Sequence, residues 1–267
     1  MLNVVITGST KGIGFGLAQE FAQRGHQVAI AGRSEETVNQ AIGQLQSAGI
    51  KSKVTGLPCE VSKHEDVQAL WDHAVEQFGS VDIWINNAGL ARTTWLIMDI
   101  PQSEIEAMMT INMLGTINGS RVAAKGMSAQ GKGKIFNMMG GGSDGEYFPG
   151  MGIYGTTKRG LDYFTNALVK ELKDSGIIIG KIRPGMVITE AVIREAKEDP
   201  ESFAKSRKIM NNLVDQVETV SPFLVDKILA TEKSGTKIRW LNGGKIAKRM
   251  MMARIKPRAD QFERFGI

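Results

Sequence analysis

The chain has 267 residues, of which 42% are apolar and 23% are charged, and this composition predicts one soluble α/β domain. Its single cysteine, Cys59, excludes an intramolecular disulfide framework and fits a reducing compartment. The net charge of +5 arises in residues 245–267, where seven Lys and Arg stand against Asp260 and Glu263, so a broad nucleic-acid-binding surface is excluded.

The sequence also disfavours metal-binding and membrane-spanning classes of protein. The three histidines, His26, His64 and His73, have no ligand-like spacing with Cys59, so we predict no metal site. The N-terminus runs directly into a strand-like apolar stretch without the regions of a signal peptide, and no apolar run is long enough to span a bilayer. We therefore expect a cytoplasmic protein.

The first predicted strand, residues 2–7, leads through a glycine-rich turn into a helix. The turn consists of Gly8, Ser9, Thr10, Lys11, Gly12, Ile13 and Gly14, and apolar residues at helical spacing follow it. Such a turn lets the backbone approach a pyrophosphate closely, while the helix N-terminus supplies N–H donors. The turn therefore predicts a dinucleotide-binding site, although loops also collect glycine for other reasons.

The second predicted strand, residues 27–31, is followed by Gly32, Arg33 and Ser34. At this point of a doubly wound fold an acidic residue holds the ribose hydroxyls of NAD, whereas an arginine suits the 2′-phosphate of NADP. Arg33 occupies the position, and Lys11 adds a second positive charge. We therefore predict NADP(H) as the cofactor, with two ordinary surface cations as the alternative.

Strands and helices continue to alternate along the chain. Ser34 is predicted to cap a helix over residues 34–48, and Ser62 to cap a helix that ends near Phe78. The remaining strands are predicted at 53–59, 81–85, 134–138, 177–182 and 237–241, and the remaining helices at 103–130, 152–174, 190–218 and 218–230. This order predicts a doubly wound, Rossmann-like parallel sheet of about seven strands, with helices on both faces and ligands at the carboxyl ends of the strands.

A candidate catalytic pair lies on the helix predicted at 152–174. Tyr154 and Lys158 are four residues apart and therefore share one helix face. An ammonium beside a phenol favours the phenolate and lowers the phenol pKa from about 10, which makes the group a usable general acid or base. The alternative is a packed ring beside a solvated amine.

Four motifs stand in a family-like order and at family-like spacings. They are Thr7-Gly8-x-x-x-Gly12-x-Gly14, Asn86-Asn87-Ala88-Gly89, Tyr154-x-x-x-Lys158 and Pro184-Gly185. Together they resemble the ordered motif set of the short-chain dehydrogenase/reductase family, over residues 2 to about 245. The resemblance implies an oxidoreductase acting on CH–OH and C=O groups with a nicotinamide cofactor.

The resemblance also implies roles for individual residues. Tyr154 would protonate the developing alkoxide, Lys158 would lower the tyrosine pKa and bind the nicotinamide ribose, and Asn112 would keep a water in place for a proton relay. The implied cofactor-binding residues are Gly8, Ser9, Thr10, Lys11, Gly12, Ile13, Gly14, Arg33, Ser34, Glu60, Val61, Asn87, Ala88, Gly89, Tyr154, Lys158, Pro184, Gly185, Val187 and Thr189.

One position departs from the family pattern. Family members usually carry a catalytic serine thirteen residues before the tyrosine, and here that residue is Gly141. Ser143 is the nearest hydroxyl, and we assign it the task of hydrogen-bonding the substrate carbonyl oxygen, with a simple loop serine as the alternative. The run of Gly140, Gly141 and Gly142 with Ser143, and the segment 238–243, resemble the chlorophyll b reductase branch of the family.

Two segments have more than one interpretation. Residues 190–218 are predicted to form a helical lid over the substrate, or else a purely structural helical pair. Residues 245–267 are predicted to form a basic amphipathic tail, which could contact an anionic membrane, dock on another subunit or remain a solvated face.

The sequence thus predicts an NADPH-dependent carbonyl reductase. Its substrate would be the formyl group of chlorophyll b or a related tetrapyrrole, reduced to hydroxymethyl, or alternatively a smaller ketone, sugar or steroid. A second class of hypothesis is an NADP-binding regulator without turnover, supported by the missing serine at Gly141. By resemblance to the family we expect a homodimer or homotetramer.

Overall fold

Seven parallel strands form the sheet of the computed structural model, which describes residues 1–267. Their order across the sheet is β3-β2-β1-β4-β5-β6-β7. The strands are β1 (Asn3–Ile6), β2 (Gln27–Gly32), β3 (Val54–Pro58), β4 (Ile83–Asn86), β5 (Gly133–Met138), β6 (Ile177–Arg183) and β7 (Thr236–Arg239). The predicted doubly wound fold is confirmed.

Helices cover both faces of this sheet, and the central strands β1 and β4 are buried along their whole length. The helices are α1 (Gly12–Gln23), α2 (Glu35–Ser47), α3 (His64–Phe78), α4 (Gln102–Met108), α5 (Gly115–Gln130), α6 (Gly152–Glu171), α7 (Glu190–Glu198), α8 (Pro200–Leu213), α9 (Val217–Leu229) and α10 (Gly243–Met252). One core contains residues of α1, α2 and α9, and the other contains residues of α3, α5 and α6. No helix combines the length and the apolar character needed to cross a bilayer.

Two local predictions differ from the structure, and a third element, the helical insertion at 190–218, is specified by it. Ser62 does not cap α3, because its hydroxyl donates instead to the Glu60 carboxylate at 3.1 Å. The helix predicted at 103–130 contains a π-helical segment, Met109–Leu114, between α4 and α5. The helical insertion consists of two helices, because Pro200 begins α8 directly after Asp199 ends α7.

The end of the chain folds back onto the domain. Phe262 is fully buried against Ile188 and Val214. The side chain of Asn211 on α8 accepts a hydrogen bond from the backbone of Gln261 at 2.7 Å. Within the predicted amphipathic tail, residues 245–252 belong to α10 and Glu263–Phe265 form a 3-10 helix, while residues 258–261 contact α8 and the start of α9.

Candidate active site

The site is organised by the crevice between β1 and β4, where the strand order reverses. The Thr7 hydroxyl accepts hydrogen bonds from the backbone N–H groups of Asn87 and Ala88, both at 3.1 Å. The Asn87 amide in return donates to the carbonyls of Thr7 and Gly8, at 3.0 and 2.8 Å. These bonds hold the glycine-rich turn and the Asn86–Gly89 segment side by side.

The glycines of the first turn are required by its geometry. Gly8 and Gly12 have φ of +60° and +57°, a conformation that favours glycine. A Cβ at Gly8 would lie 2.7 Å from the Ala88 Cα, and one at Gly14 would collide with the Asn87 amide. The first turn of α1 carries no acidic residue and no side-chain cap, so its N–H groups remain available to an anion.

The other residues of this turn have different environments. Ser9 is fully buried, and its hydroxyl donates to the Ile6 carbonyl and accepts from the Ala31 N–H, so its side chain ties β1 to β2. Thr10 packs against Gly32, and Ile13 packs against the core. Lys11 and Arg33 are exposed, and neither forms an ion pair.

The segments after β2 and β3 lie beside the same crevice edge. Ser34 caps α2, because its hydroxyl accepts from the Thr37 N–H at 3.3 Å. Glu60 is held by its backbone N–H, which donates to Asp66 at 2.9 Å. Val61 is buried against Gly115, where a Cβ would lie 2.5 Å from the valine side chain.

Tyr154 lies in the first turn of α6 with its hydroxyl directly over Gly140. A Cβ at residue 140 would collide with that hydroxyl. Burial raises the pKa of the Tyr154 phenol to about 12, and the carboxylate of Glu195 acts in the same direction. The lowered pKa expected from the sequence is therefore wrong for the protein alone, which holds the phenol in its protonated form.

Lys158 lies one turn further along α6 and is 3% exposed. Its Nζ donates to the Met138 carbonyl at 3.0 Å and stands 5.7 Å from the centre of the Tyr154 ring. Burial lowers the pKa of Lys158 from 10.5 to about 8. At neutral pH the ammonium is still the main form of Lys158.

Asn112 belongs to the π-helical segment and is fully buried. Its amide donates to the Leu90 carbonyl and the Thr157 hydroxyl, at 2.9 and 3.1 Å, and its oxygen accepts from the Leu90 N–H at 2.7 Å. A Cβ at Gly89 would lie 3.3 Å from Asn112 Oδ1 and 3.7 Å from Lys158 Nζ. The three residues therefore meet at one point, but both amide N–H groups of Asn112 are already used.

The presence of glycine at residue 141 is explained by the position of the neighbouring Met151 side chain. A Cβ at residue 141 would lie 2.6 Å from the Met151 Cε. The space that a serine side chain would need is therefore filled by methionine, and the wall beside Tyr154 is apolar rather than hydroxylic. Sequence spacing identified the missing serine but not the residue that replaces it.

Ser143 is the predicted catalytic residue whose side chain makes no contact with the other predicted catalytic residues. Its side chain is fully buried, and its hydroxyl has no hydrogen-bond partner. Its backbone carbonyl accepts from Arg159 at 3.2 Å, and the carboxylate of the next residue, Asp144, is bound by Arg183 and Lys237. These contacts fix the loop with the hydroxyl turned away from solvent.

The segment from Pro184 to Thr189 is anchored by Asp215. Gly185 has φ of +78°, and a Cβ there would lie 2.7 Å from Leu241. The backbone of Asp215 donates to the Met186 carbonyl and accepts from the Ile188 N–H, both at 3.0 Å. Val187 is buried, whereas Thr189 is half-buried beside Gly12.

Sequence reasoning missed a contact that joins α7 to the loop after β4. Both carboxylate oxygens of Glu195 accept from Thr93, one from its N–H at 2.9 Å and the other from its hydroxyl at 2.5 Å. The guanidinium of Arg194 donates to the Ala91 carbonyl at 3.0 Å. A charged side chain in an amphipathic helix gives no sequence signal of such a partner.

These observations fit a nicotinamide dinucleotide. The positive-φ glycines and uncapped N–H groups of α1 form a cradle that any side chain would fill, and exposed Lys11 and Arg33 stand at its rim. A cavity of about 410 Å³ adjoins the cradle at Gly12 and Thr189 but does not include Tyr154. The chain contains no cluster of three or more His, Cys, Asp and Glu residues suited to a metal ion.

The chain is similar to known proteins over most of its length. The family model described as short chain dehydrogenase matches residues 2–200. A probable chlorophyll(ide) b reductase, chloroplastic, of Arabidopsis thaliana is 35% identical in an alignment that covers 91% of this chain and 51% of that protein. The chain thus spans about half the length of that relative.

Two further similarities agree with this match. A chlorophyll(ide) b reductase, chloroplastic, of Oryza sativa subsp. japonica is 37% identical over 93% of this chain and 74% of that protein. The crystal structure of a single-residue variant of actinorhodin polyketide ketoreductase with NADPH has a TM-score of 0.80 at 22% identity, over 90% of this chain and 95% of that one. At that identity the structural similarity establishes the fold.

Proposed function

We propose that this chain, which belongs to the short-chain dehydrogenase family, is an oxidoreductase that reduces a carbonyl group with NADPH. The observation that carries the proposal is the position of Lys158 between the Tyr154 ring and Gly89, which directly follows Ala88, the residue that contacts the glycine-rich turn at Gly8. The bound cofactor supplies the hydride, and the protein supplies position and a proton.

Tyr154 is the proposed general acid. Burial and Glu195 keep its pKa near 12, so the phenol carries a proton at neutral pH and can give it to the oxygen of a carbonyl that is being reduced. The absence of a side chain at Gly140 lets the hydroxyl stand free at this wall. The protonated state suits reduction better than oxidation, which requires a base.

Lys158 is the proposed ribose ligand and proton-relay partner. Only one hydrogen bond of its Nζ, to Met138, is made within the protein, so further donors remain for a sugar hydroxyl or a water. Because the side-chain N–H groups of Asn112 are used by Leu90 and Thr157, we propose that Asn112 serves the relay through its backbone carbonyl and through the position it gives to Gly89. The π-helical segment supports this role, because such segments often occur at functional sites.

Recognition of the cofactor is proposed to involve the residues of the cradle and its rim. The glycine-rich turn would hold the pyrophosphate, and Arg33 with Lys11 would bind the 2′-phosphate. Ser34, Glu60 and Val61 would surround the adenosine half. Pro184, Gly185, Val187 and Thr189 would contact the nicotinamide half.

Ser143 is proposed to orient the substrate carbonyl. Its support is a buried hydroxyl that has no partner, which is costly unless a ligand satisfies it. Since this hydroxyl has no exposed surface, the role requires the loop after β5 to shift when substrate binds.

The proposed substrate is the formyl group of chlorophyll b or a related tetrapyrrole, reduced to hydroxymethyl. Support comes from the names of the two plant relatives and from the apolar wall that Gly141 and Met151 form beside Tyr154. A smaller ketone, sugar or steroid is the alternative, and a 3α-hydroxysteroid dehydrogenase of Mediterraneibacter gnavus, 32% identical over 70% of this chain, supports it.

The test is the consumption of NADPH with chlorophyll b and with a panel of aldehydes and ketones, followed by pigment analysis. We expect hydroxymethyl product from chlorophyll b. Turnover of other carbonyls with unchanged pigment would exclude the tetrapyrrole but retain the reductase. Binding of NADPH without reduction of any carbonyl would favour the second candidate, a non-catalytic NADP-binding regulator, which the sealed hydroxyl of Ser143 supports.

Assembly and location are further proposals. We propose that the protein is a homodimer or homotetramer, in keeping with its family, and that it is cytoplasmic. The two helices α7 and α8 are proposed to act as a lid over the substrate, supported by the contact of Glu195 with Thr93 at the loop after β4.

A further inference from the structure

The surface formed by α10 and the residues after it carries an unusual number of exposed apolar side chains. Ile246, Met250, Met251, Met252 and Ile255 are 37%, 39%, 61%, 38% and 76% exposed. Single exposed apolar residues are common on soluble proteins, but five within ten residues form a patch. We refer to residues 246–256 as the α10 surface.

Two arginines fix the orientation of the α10 surface. Arg249 binds both carboxylate oxygens of Asp215, at 2.8 and 2.9 Å. Arg258 binds the same carboxylate at 3.0 Å and also donates to the Val214 carbonyl at 2.8 Å. Asp215 is 3% exposed, so these arginines point inward and the methionines of α10 remain outside.

The charge around this patch is of one sign. Lys248, Arg254 and Lys256 are exposed and form no ion pair. Residues 243–259 contain no acidic residue. The adjoining helix α8 extends the same chemistry, because its Ile209, which is 57% exposed, directly follows Lys208 in the sequence and lies four residues after Lys205.

We propose that the α10 surface binds the face of a membrane that contains anionic lipids. Methionine and isoleucine side chains would enter the boundary between headgroups and acyl chains, while the flanking cations meet lipid phosphates and carboxylates. The positive charge favours an anionic membrane over a second copy of this chain. A second copy would bring the same positive charges into contact and would be repelled. This surface lies outside the proposed reductase site and does not depend on it.

Co-sedimentation with lipid vesicles tests the proposal on the full chain. Vesicles in which about a third of the lipid is phosphatidylserine are compared with pure phosphatidylcholine vesicles. We expect binding to the anionic vesicles only, weakened at high salt. The variants Met251→Asp and Ile255→Asp should each reduce binding about tenfold or more, because they place an anion at the lipid boundary.

The matched control is Met98→Asp, since Met98 is 91% exposed and lies on the loop after β4. It should bind vesicles as well as the wild type, and thermal unfolding should show that all three variants are folded. Three results would overturn the proposal: no binding to anionic vesicles, equal binding to neutral vesicles, or a chain–chain association that Met251→Asp and Ile255→Asp abolish.

Discussion

The hydroxyl of Tyr154 lies over the Cα of Gly140, in the space that any side chain at residue 140 would need. The phenol reaches this point from the first turn of α6, and Gly140 follows β5, so the contact joins a helix to the end of a strand. The first glycine of the run at 140–142 therefore sets the position of the proposed proton donor rather than serving as a flexible linker.

Gly140→Ala tests this relationship. The added methyl group should displace the Tyr154 hydroxyl and lower kcat about 100-fold, since small displacements of a reacting group have effects of this size. Affinity for NADPH, measured by fluorescence titration, should change little. Gly43→Ala is the control, because Gly43 lies in α2 with open space around it, and it should retain full activity. Equal activity of both variants would contradict the geometry.

The pair of Gly141 and Met151 gives a second prediction. Gly141→Ser should lower the free energy of unfolding by about 1 kcal/mol, because the new side chain meets Met151 Cε. Adding Met151→Ala should remove most of that loss and place a hydroxyl at the position typical of the family. In this double variant Ser143→Ala should have little effect, whereas in the wild type it should lower kcat. Chemical denaturation and steady-state rates measure both effects.

The sequence was sufficient to predict the order of strands and helices. Buried parallel strands are short apolar runs, whereas in helices the apolar residues recur with a period of three to four residues. The predicted ends agree within a few residues. It was not sufficient for the π-helical segment at Met109–Leu114, because a change in hydrogen-bond register leaves the apolar pattern intact. It also missed the docking of Phe262, which depends on a hydrophobic contact with Ile188 that is distant in sequence.

The site was predicted in part for similar physical reasons. The glycines indicate the conformation of the turn, and the four-residue spacing of Tyr154 and Lys158 indicates a shared helix face. Both are local features that the sequence encodes directly. Burial decides the pKa of Tyr154, the inaccessibility of Ser143 and the partner of Glu195, and burial depends on residues from several elements. The filling of the space at Gly141 by Met151 likewise requires three-dimensional packing.

Cofactor preference gives a third prediction. Arg33→Asp should weaken NADPH relative to NADH by at least about tenfold, because an anion would replace the cation proposed to meet the 2′-phosphate. The matched control is Arg121→Asp, since Arg121 is also exposed and without an ion pair but lies on α5. Ratios of kcat/KM for the two cofactors measure the preference. An unchanged ratio in Arg33→Asp would exclude the role of Arg33.

The pKa of Lys158 gives a fourth prediction. Because burial places it near 8, the ammonium is present below that pH and is lost as the pH rises through it. An anionic cofactor binds the charged form better, so the Kd for NADPH should rise as the pH increases above about 8. Lys158→Gln should remove this dependence, whereas Arg33→Asp should keep it. The Kd for NADPH is measured by titration between about pH 6 and 10. A wild-type Kd that does not change over this range would show that Lys158 does not contact the cofactor.

Replacement of the phenol by Tyr154→Phe tests the central claim most directly, because it removes one hydroxyl and retains the ring. The measurement is the single-turnover rate of carbonyl reduction with NADPH and the best substrate of the panel. A fall of about 100-fold or more, with the affinity for NADPH unchanged, is the result predicted for the proton donor. A Tyr154→Phe variant that reduces the carbonyl at the wild-type rate would contradict the account.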